Sequence, residues 1–445
     1  GGSTNIEVVG ATMIELSNEG SFKIDTFIIN PPGSAAVTFM GSQPFVINVD
    51  LNVGGNNSTL TVNNGCTLNI VDDLDLLDPN IIVSNSGTIT TGDDIKSTGI
   101  NTGINIINNS SGIITIEDLL NIDQGTGTFT NAGFLSVGEN IRVAAATEFL
   151  DINNTASLYL RGALINDIRL DATSSNNLVR LTGTSSQDIP LPTGNTYWNL
   201  QLYGSMDKNL QSNLNINGNL EISGGAVLDM NVYEIDLKGY LTMTSIGDID
   251  EDNGKFIFSG GDEQVISLNS NQTFFDLEIN NPEGVTLINE SLVVSNELAL
   301  VNGYFSTGVN VLTLGTGTSD IGILNRTSGH IIGQFERWLN ASGVNFPFPL
   351  GTTTNYNPLN IRFSNLSGGS LIAGFTEADP GLNDIPLSDN GTCVTRTFPE
   401  GYWSLTPANG LSSTNYDLDL TGNVFSYTLS EATRLLTRNF SADPW

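Results

Sequence analysis

Asn85-Ser86-Gly87-Thr88-Ile89-Thr90 returns as Asn109-Ser110-Ser111-Gly112-Ile113-Ile114-Thr115-Ile116, and again as Asn131-Ala132-Gly133-Phe134-Leu135-Ser136-Val137. An earlier copy reads Asn64-Gly65 before Thr67-Leu68-Asn69-Ile70. A decayed one reads Asn154-Thr155-Ala156 before Ser157-Leu158-Tyr159-Leu160. Each copy is an Asn/Gly punctuation followed by three to five residues that alternate apolar and polar. Alternation with period two is the mark of a strand with one buried face. Asn and Gly tolerate the left-handed backbone that a sharp corner needs. Successive anchors are 22, 25, 21 and 23 residues apart, which fits one coil of a β-solenoid. Stacked coils place equivalent residues about 4.8 Å apart, so each inward Ile, Leu or Val rests on its counterpart and Asn side chains can form ladders.

A longer repeat of 77 residues follows. Val179-Arg-Leu-Thr-Gly183 matches Phe256-Ile-Phe-Ser-Gly260, Gln187 matches Gln264, and Tyr197-Trp198-Asn199-Leu200 matches Phe274-Phe275-Asp276-Leu277. Asn231-Val232 returns at Gly308-Val309. At roughly 22 residues per coil, 1–325 would supply on the order of 14 coils and about 70 Å of stacked strands. Right-handed winding is the expectation for parallel crossovers. Helical periodicity is nearly absent, and Glu431-Ala-Thr-Arg-Leu-Leu is the one short candidate.

Near residue 330 aromatic residues and prolines become denser. Strand-like runs at 359–363, 371–375, 402–405, 416–420 and 425–429 are separated by turns, as in an antiparallel sandwich. The expected fold is therefore all-β, a parallel β-helix followed by a C-terminal antiparallel β-sandwich. Its divisions are a cap with the first coils at 1–50, coils of about 23 residues at 51–175, the two long repeats at 176–328, and the sandwich at 329–445. Pro31-Pro32 and Pro44 suit an end that protects an open sheet edge.

Composition narrows the function. The 445 residues include 54 Asn and 48 Gly, and 15 Lys and Arg stand against 47 Asp and Glu for a formal charge of −32. Residues 1–141 hold only Lys23 and Lys96 as cations. Such a chain offers no basic surface for nucleic-acid phosphates. No apolar run approaches the length of a membrane span. Cys66 and Cys393 are too far apart in sequence for metal-ligand spacing and read as two unpaired thiols, Cys66 as a small buried hydrophobe. The Gly-Gly-Ser start without Met reads as a mature or excised chain.

The stretch Asn345-Phe-Pro-Phe-Pro-Leu-Gly-Thr-Thr-Thr-Asn-Tyr-Asn-Pro-Leu-Asn-Ile-Arg-Phe363, with Gly401-Tyr-Trp-Ser-Leu-Thr-Pro407 and Tyr416-Asp-Leu-Asp-Leu420, resembles large surface proteins of Bacteroidetes. Those proteins are exported by type IX secretion and carry Asn/Gly/Thr-rich solenoid repeats ahead of such a module. The resemblance implies an extracellular, cell-surface location with an adhesin or filament role, and no fixed active site.

Signals for catalysis are weak. Gly92-Asp93-Asp94 has the look of a paired-carboxylate centre, but Asp72-Asp73, Glu117-Asp118 and Glu139-Asn140 occupy corresponding corners, so the acids belong to the repeat. No Gly-x-Ser-x-Gly elbow is present, and His330 is the only histidine. Asp248-Ile-Asp250-Glu251-Asp252-Asn253-Gly254 sets oxygens at alternate positions before a Gly turn, as an oxygen-ligated Ca²⁺ requires. Asp248, Asp250, Asp252 and Asn253 are the candidate ligands, although a plain acidic hairpin is the favoured account of them. Glu377, Asp379, Asp384 and Asp389 form a second acidic loop. Tyr197-Trp198 and Phe274-Phe275 recur at equivalent sites, which favours core packing over sugar stacking. The reading is a non-catalytic extracellular structural or adhesion protein, partnered by other copies or modules of its assembly or by an extracellular glycan. The alternative is a carbohydrate-active or polysaccharide-binding β-helix.

Overall fold

The computed structural model describes residues 4–10, 13–99, 104–123, 125–145, 148–426, 430–431, 433–439 and 443–445. Its described residues contain no α-helix, only a short 3-10 turn at Thr193–Asn195. Of the helical candidate 431–436, Ala432 lies outside the described residues and 433–436 are not helical. The expected strand at 425–429 likewise falls partly outside them. The chain divides into two compact units, 1–252 and 253–445.

The first unit is a parallel β-solenoid with three strands per coil. One sheet collects eight strands, from Asn5–Val8 and Thr26–Ile29 through Leu74–Leu76 and Ile95–Ser97 to Leu164–Ile165. A second collects eight more, from Met13–Asn18 through Ile81–Asn85 and Ile104–Asn108 to Ile168–Asp171. The third contains Thr67–Ile70, Thr88–Thr91, Ile113–Ile116, Phe134–Val137, Ser157–Leu160, Leu178–Leu181 and Asn199–Leu202. Pairing is parallel and in register, so Leu68, Ile89, Ile114, Leu135, Leu158 and Val179 form one inward column. All six are buried. Residues 5–47 form two coils with this same register.

The Asn punctuation becomes a buried ladder. Asn85 Nδ2 donates to Asn108 Oδ1 at 2.9 Å, Asn108 to Asn131 at 2.8 Å, and Asn131 to Asn154 at 2.8 Å. The spacing is 23 residues at every rung. The second proton of each amide goes to a backbone carbonyl of the next coil, that of Ile113, Phe134 and Ser157 in turn. This corrects two anchors. The rung is Asn108 rather than Asn109, and Val62, not Asn64, stands opposite Asn85. The glycine that follows is required by space. A Cβ at Gly133 would overlap the Gly112 carbonyl oxygen, and one at Gly87 that of Cys66.

Beyond 181 the coils change shape. A four-stranded sheet stacks Gln187–Asp188, Met206–Asn209, Ala226–Asp229 and Asp248–Asp250. Lys208 is fully buried there, and its Nζ donates to the carbonyls of Gly183 at 3.0 Å and Ser205 at 2.8 Å. The 77-residue repeat is visible in local detail. Gln187 Oε1 accepts from Gly183 N at 3.3 Å, and in the second unit Gln264 Oε1 accepts from Gly260 N at 2.8 Å. Tyr197 and Phe274 are both buried, while Asn231 and Gly308 both take positive φ beside the exposed Val232 and Val309.

The second unit continues with parallel pairing. Lys255–Phe258 and Gln264–Ser267 pair with Gln272–Ile288, which pairs with Leu292–Leu314. His330–Leu339 pairs parallel with that last strand and antiparallel with Gly369–Thr376, which pairs with Tyr402–Ala408. The expected boundary at 329 therefore falls where one strand serves both the coils and the antiparallel sheet. A second antiparallel sheet joins Asn345–Phe348, Leu359–Phe363 and Tyr416–Leu420. The two sheets face each other, with Phe335 edge-on to Phe348 at 5.7 Å and Trp403 Nε1 donating to the Asn357 carbonyl at 3.0 Å.

Candidate functional site

The corner between the third sheet and the first gathers most of the chemistry of the first unit. Its backbone is tight. A Cβ at Gly92 would overlap the Val71 carbonyl oxygen, and one at Gly138 that of Glu117. Backbone bonds from Asp93 to Asp72 and from Glu139 to Asp118 set up an outer column of Asp72, Asp93, Asp118 and Glu139. The next position forms an inner column of Asp50, Asp73 and Asp94. The corner equivalences thus shift by one residue at Glu117, which stands level with Gly92 and Gly138.

The inner carboxylates satisfy backbone donors. Asp94 N donates to Asp73 Oδ1 at 2.9 Å, Leu119 N to Asp94 Oδ1 at 2.9 Å, and Asp73 N to Asp50 Oδ1 at 3.4 Å. Asn140 takes the same role for Ala163 N at 2.7 Å. One cation faces the cluster. Lys96 Nζ bonds Asp73 and lies 3.6 Å from Asp75 Oδ1. Burial alone would lower the lysine pKa, but Asp73 and Asp75 outweigh it and hold the ammonium above its ordinary range.

The carboxylates respond in the opposite sense. Burial pushes Asp75 up to about 6, opposed by Lys96 and reinforced by Asp73 and Asp50. Asp75 is 9% exposed, and its Oδ1 has no hydrogen-bond partner. Desolvation first, then neighbouring carboxylates, also raise Asp72 and Asp93. Three groups bring ligand oxygens within 4.8 Å of one another: Asp50/Asp73/Asp75, Asp72/Asp73/Asp93 and Asp93/Asp94/Asp118. An all-oxygen set of this kind suits protons or hard cations. Asp75 and Lys96 were not legible as partners because they stand on adjacent coils. The signal was Asp72-Asp73-x-Asp75 above Gly92-Asp93-Asp94-x-Lys96, aligned at a spacing of 21.

The remaining candidate residues lie elsewhere. Asp248 and Asp250 flank the buried Ile249 on one exposed strand edge, and Asp252 sits in a left-handed turn. Asp229, opposite Asp250, is raised first by burial, with Asp252 and Asp250 adding repulsion. Asn253 is the first residue of the second unit. Among the described residues, the acidic groups with ligand atoms within 4.8 Å do not include Asp248, Asp250 or Asp252. Asp379 accepts from Gly381 N at 2.8 Å, and Asp389 pairs with Arg434 at 2.5 Å, so two carboxylates of that loop already have partners. His330 Nε2 lies 2.6 Å from the Thr352 carbonyl, with its pKa lowered by burial. Both cysteines are free, Cys66 buried and Cys393 exposed.

Comparison with protein-family models, with curated proteins and with solved structures gives no match. The class is set by the coordinates themselves: a parallel β-solenoid with an antiparallel two-sheet region near its C-terminal end.

Proposed function

We propose that this chain is a non-catalytic structural protein of the cell surface, in which rigid acidic coils and a sandwich module support adhesion or build a surface fibre. The observation that carries this reading is the in-register parallel stacking of the described strands between residues 5 and 181, reinforced from Asn85 to Asn154 by the Asn ladder. Such stacking resists bending because every coil is bonded to both neighbours along three sheets. The acids face water along one corner and keep the surface hydrated and mutually repulsive. Calcium is the proposed ion, at the acidic turn of residues 248–253. The resemblance to type IX-exported surface proteins supports the location. Negative-stain micrographs of the purified chain test the reading. Straight stiff particles or fibres are expected, and flexible or irregular particles overturn it. A screen for turnover of uronic-acid and neutral glycans supplies the second check, since any turnover removes the non-catalytic assignment.

A further inference from the structure

On the outward face of the third sheet, the early coils carry Asn69, Thr88, Thr90 and Thr115, polar residues that suit a strand meeting water, with Ile113 the one exposed apolar side chain among them. From Phe134 onward the same face turns aromatic and basic. Tyr159, Arg180 and Gln201 occupy one column on successive coils. The Arg180 guanidinium lies 3.9 Å from the Tyr203 ring centroid and 5.0 Å from that of Tyr159. Phe134 packs edge-on against Tyr159 at 4.9 Å.

The charge along the neighbouring corner reverses over the same coils. The outer acidic column ends at Glu139, and Gly162 follows it. Arg161 stands just before that glycine, exposed, in the column that leads to Thr182 and Tyr203. Elsewhere the arginines of this region have carboxylate partners: Arg142 lies 3.9 Å from Asp123, and Arg169 lies 2.7 Å from Asp167. Among the described residues, Arg161 and Arg180 have none. Glu221, the next acid in the Arg180 column, is bonded to Gln201 Nε2 at 2.7 Å. The Arg180 Nε is buried under the rings with no acceptor. In a chain of net charge −32, two guanidiniums without carboxylate partners, one of them held between the half-buried Tyr159 and the exposed Tyr203, are a specific arrangement.

We propose that this face, centred on Arg180 between Tyr159 and Tyr203, binds a carboxylated or sulfated polysaccharide. The inference rests on the surface-adhesion reading and names the partner class for it. Tyr159 and Tyr203 stand two coils apart, about 10 Å, on either side of the guanidinium, and offer apolar contacts along a linear sugar chain. Arginine's planar fork matches a carboxylate or sulfate and stacks at the same time. The acidic corner does not forbid this partner. The outer acidic column ends at Glu139, two coils before Arg180 and about 10 Å away along the stack, beyond the screening length of about 8 Å at physiological salt. A single polysaccharide strand also meets only this patch, whereas a second copy would bring a whole body of charge −32 against another.

The test is isothermal titration of the purified full chain with polygalacturonate and with heparin, beside neutral dextran and poly-glutamate. Binding of at least one anionic glycan is expected. It should weaken tenfold or more in Arg161→Gln/Arg180→Gln and in Tyr203→Ala, and decline with added salt. Arg180→Lys, which keeps the charge but loses the stacked plane, should also weaken it. Unchanged circular dichroism certifies the fold of each variant. Absence of glycan binding, equal binding of dextran or poly-glutamate, or binding indifferent to these variants overturns the proposal. Sedimentation showing self-association that is lost in Arg161→Gln/Arg180→Gln, with no glycan heat, overturns it in favour of a second copy. None of these failures alters the micrographs expected under the structural reading, which are tested separately.

Discussion

Replacing Asp75 by Asn should stabilise this protein at neutral pH, although it removes a partner of Lys96. The carboxyl rises from its usual 3.8 to about 6 in the folded chain. A rise of about two units means that folding opposes its ionisation by about 3 kcal/mol. That figure is net of the Lys96 attraction, because Lys96 is among the groups that set the value. At pH 8 the wild-type carboxylate carries this whole cost, and Asp75→Asn gains up to about 3 kcal/mol there. Between 3.8 and 6 the folded state binds the proton that the unfolded state releases, so wild-type stability falls as pH rises through this window. At pH 4.5 the folded carboxyl is already protonated, and the gain shrinks to about 1 kcal/mol. Urea titration of both proteins at pH 4.5 and pH 8 reads the difference. Native-state hydrogen exchange at Leu74–Leu76 and Ile95–Ser97 localises it, which matters because long repeat arrays unfold in parts. A variant less stable than wild type at pH 8, or equally displaced at both pH values, refutes the reasoning and makes the Asp75–Lys96 pair a net stabilising one.

Asn131→Ala removes the donor to Asn154 and Ser157 and leaves Asn108 without its acceptor, so it should cost about 2–4 kcal/mol in urea titration. Asn131→Asp should lose a similar amount. Gly133→Ala forces apart coils that meet at the Gly112 carbonyl and should abolish soluble expression or lower the melting temperature severely, whereas Gly65→Ala, with open space and only a positive φ, should cost about 1 kcal/mol. Phe335→Ala should destabilise the second unit by about 3–5 kcal/mol through the cavity left beside Phe348, measured by denaturant unfolding with near-ultraviolet circular dichroism. Calorimetric titration with Ca²⁺ should show heat that is lost in Asp250→Asn/Asp252→Asn and kept in Asp93→Asn/Asp118→Asn; the reverse pattern would move the ion to the acidic corner.

The solenoid was legible because its signal is local and redundant. Each strand alternates, each corner is punctuated, and several copies repeat the same instruction. What misled were neighbours of the same type. Asn108 and Asn109 are interchangeable in a pattern of punctuation, and only pairing with Asn85 and Asn131 shows which one turns inward. Glu117-Asp118 resembles Asp93-Asp94 in sequence, yet the longer coil between them moves the match by one residue. The acidic cluster was visible as composition but not as a site, since its members come from four coils and its cation, Lys96, is 23 residues from Asp73. The aromatic face around Arg180 was hidden for the same reason. Tyr159, Arg180 and Tyr203 are about two dozen positions apart and become neighbours only when the laps are in register.

The uniform interval of the asparagine ladder has an evolutionary corollary. A genetic duplication or loss of one 23-residue segment, such as 86–108, would insert or delete a whole rung and leave every remaining amide with its donor and acceptor. The corners already differ, two residues at Ser86-Gly87 against four at 109–112, without breaking the ladder. Lineages carrying this part of the molecule should therefore differ by whole laps or at the corners rather than by scattered insertions within the strands.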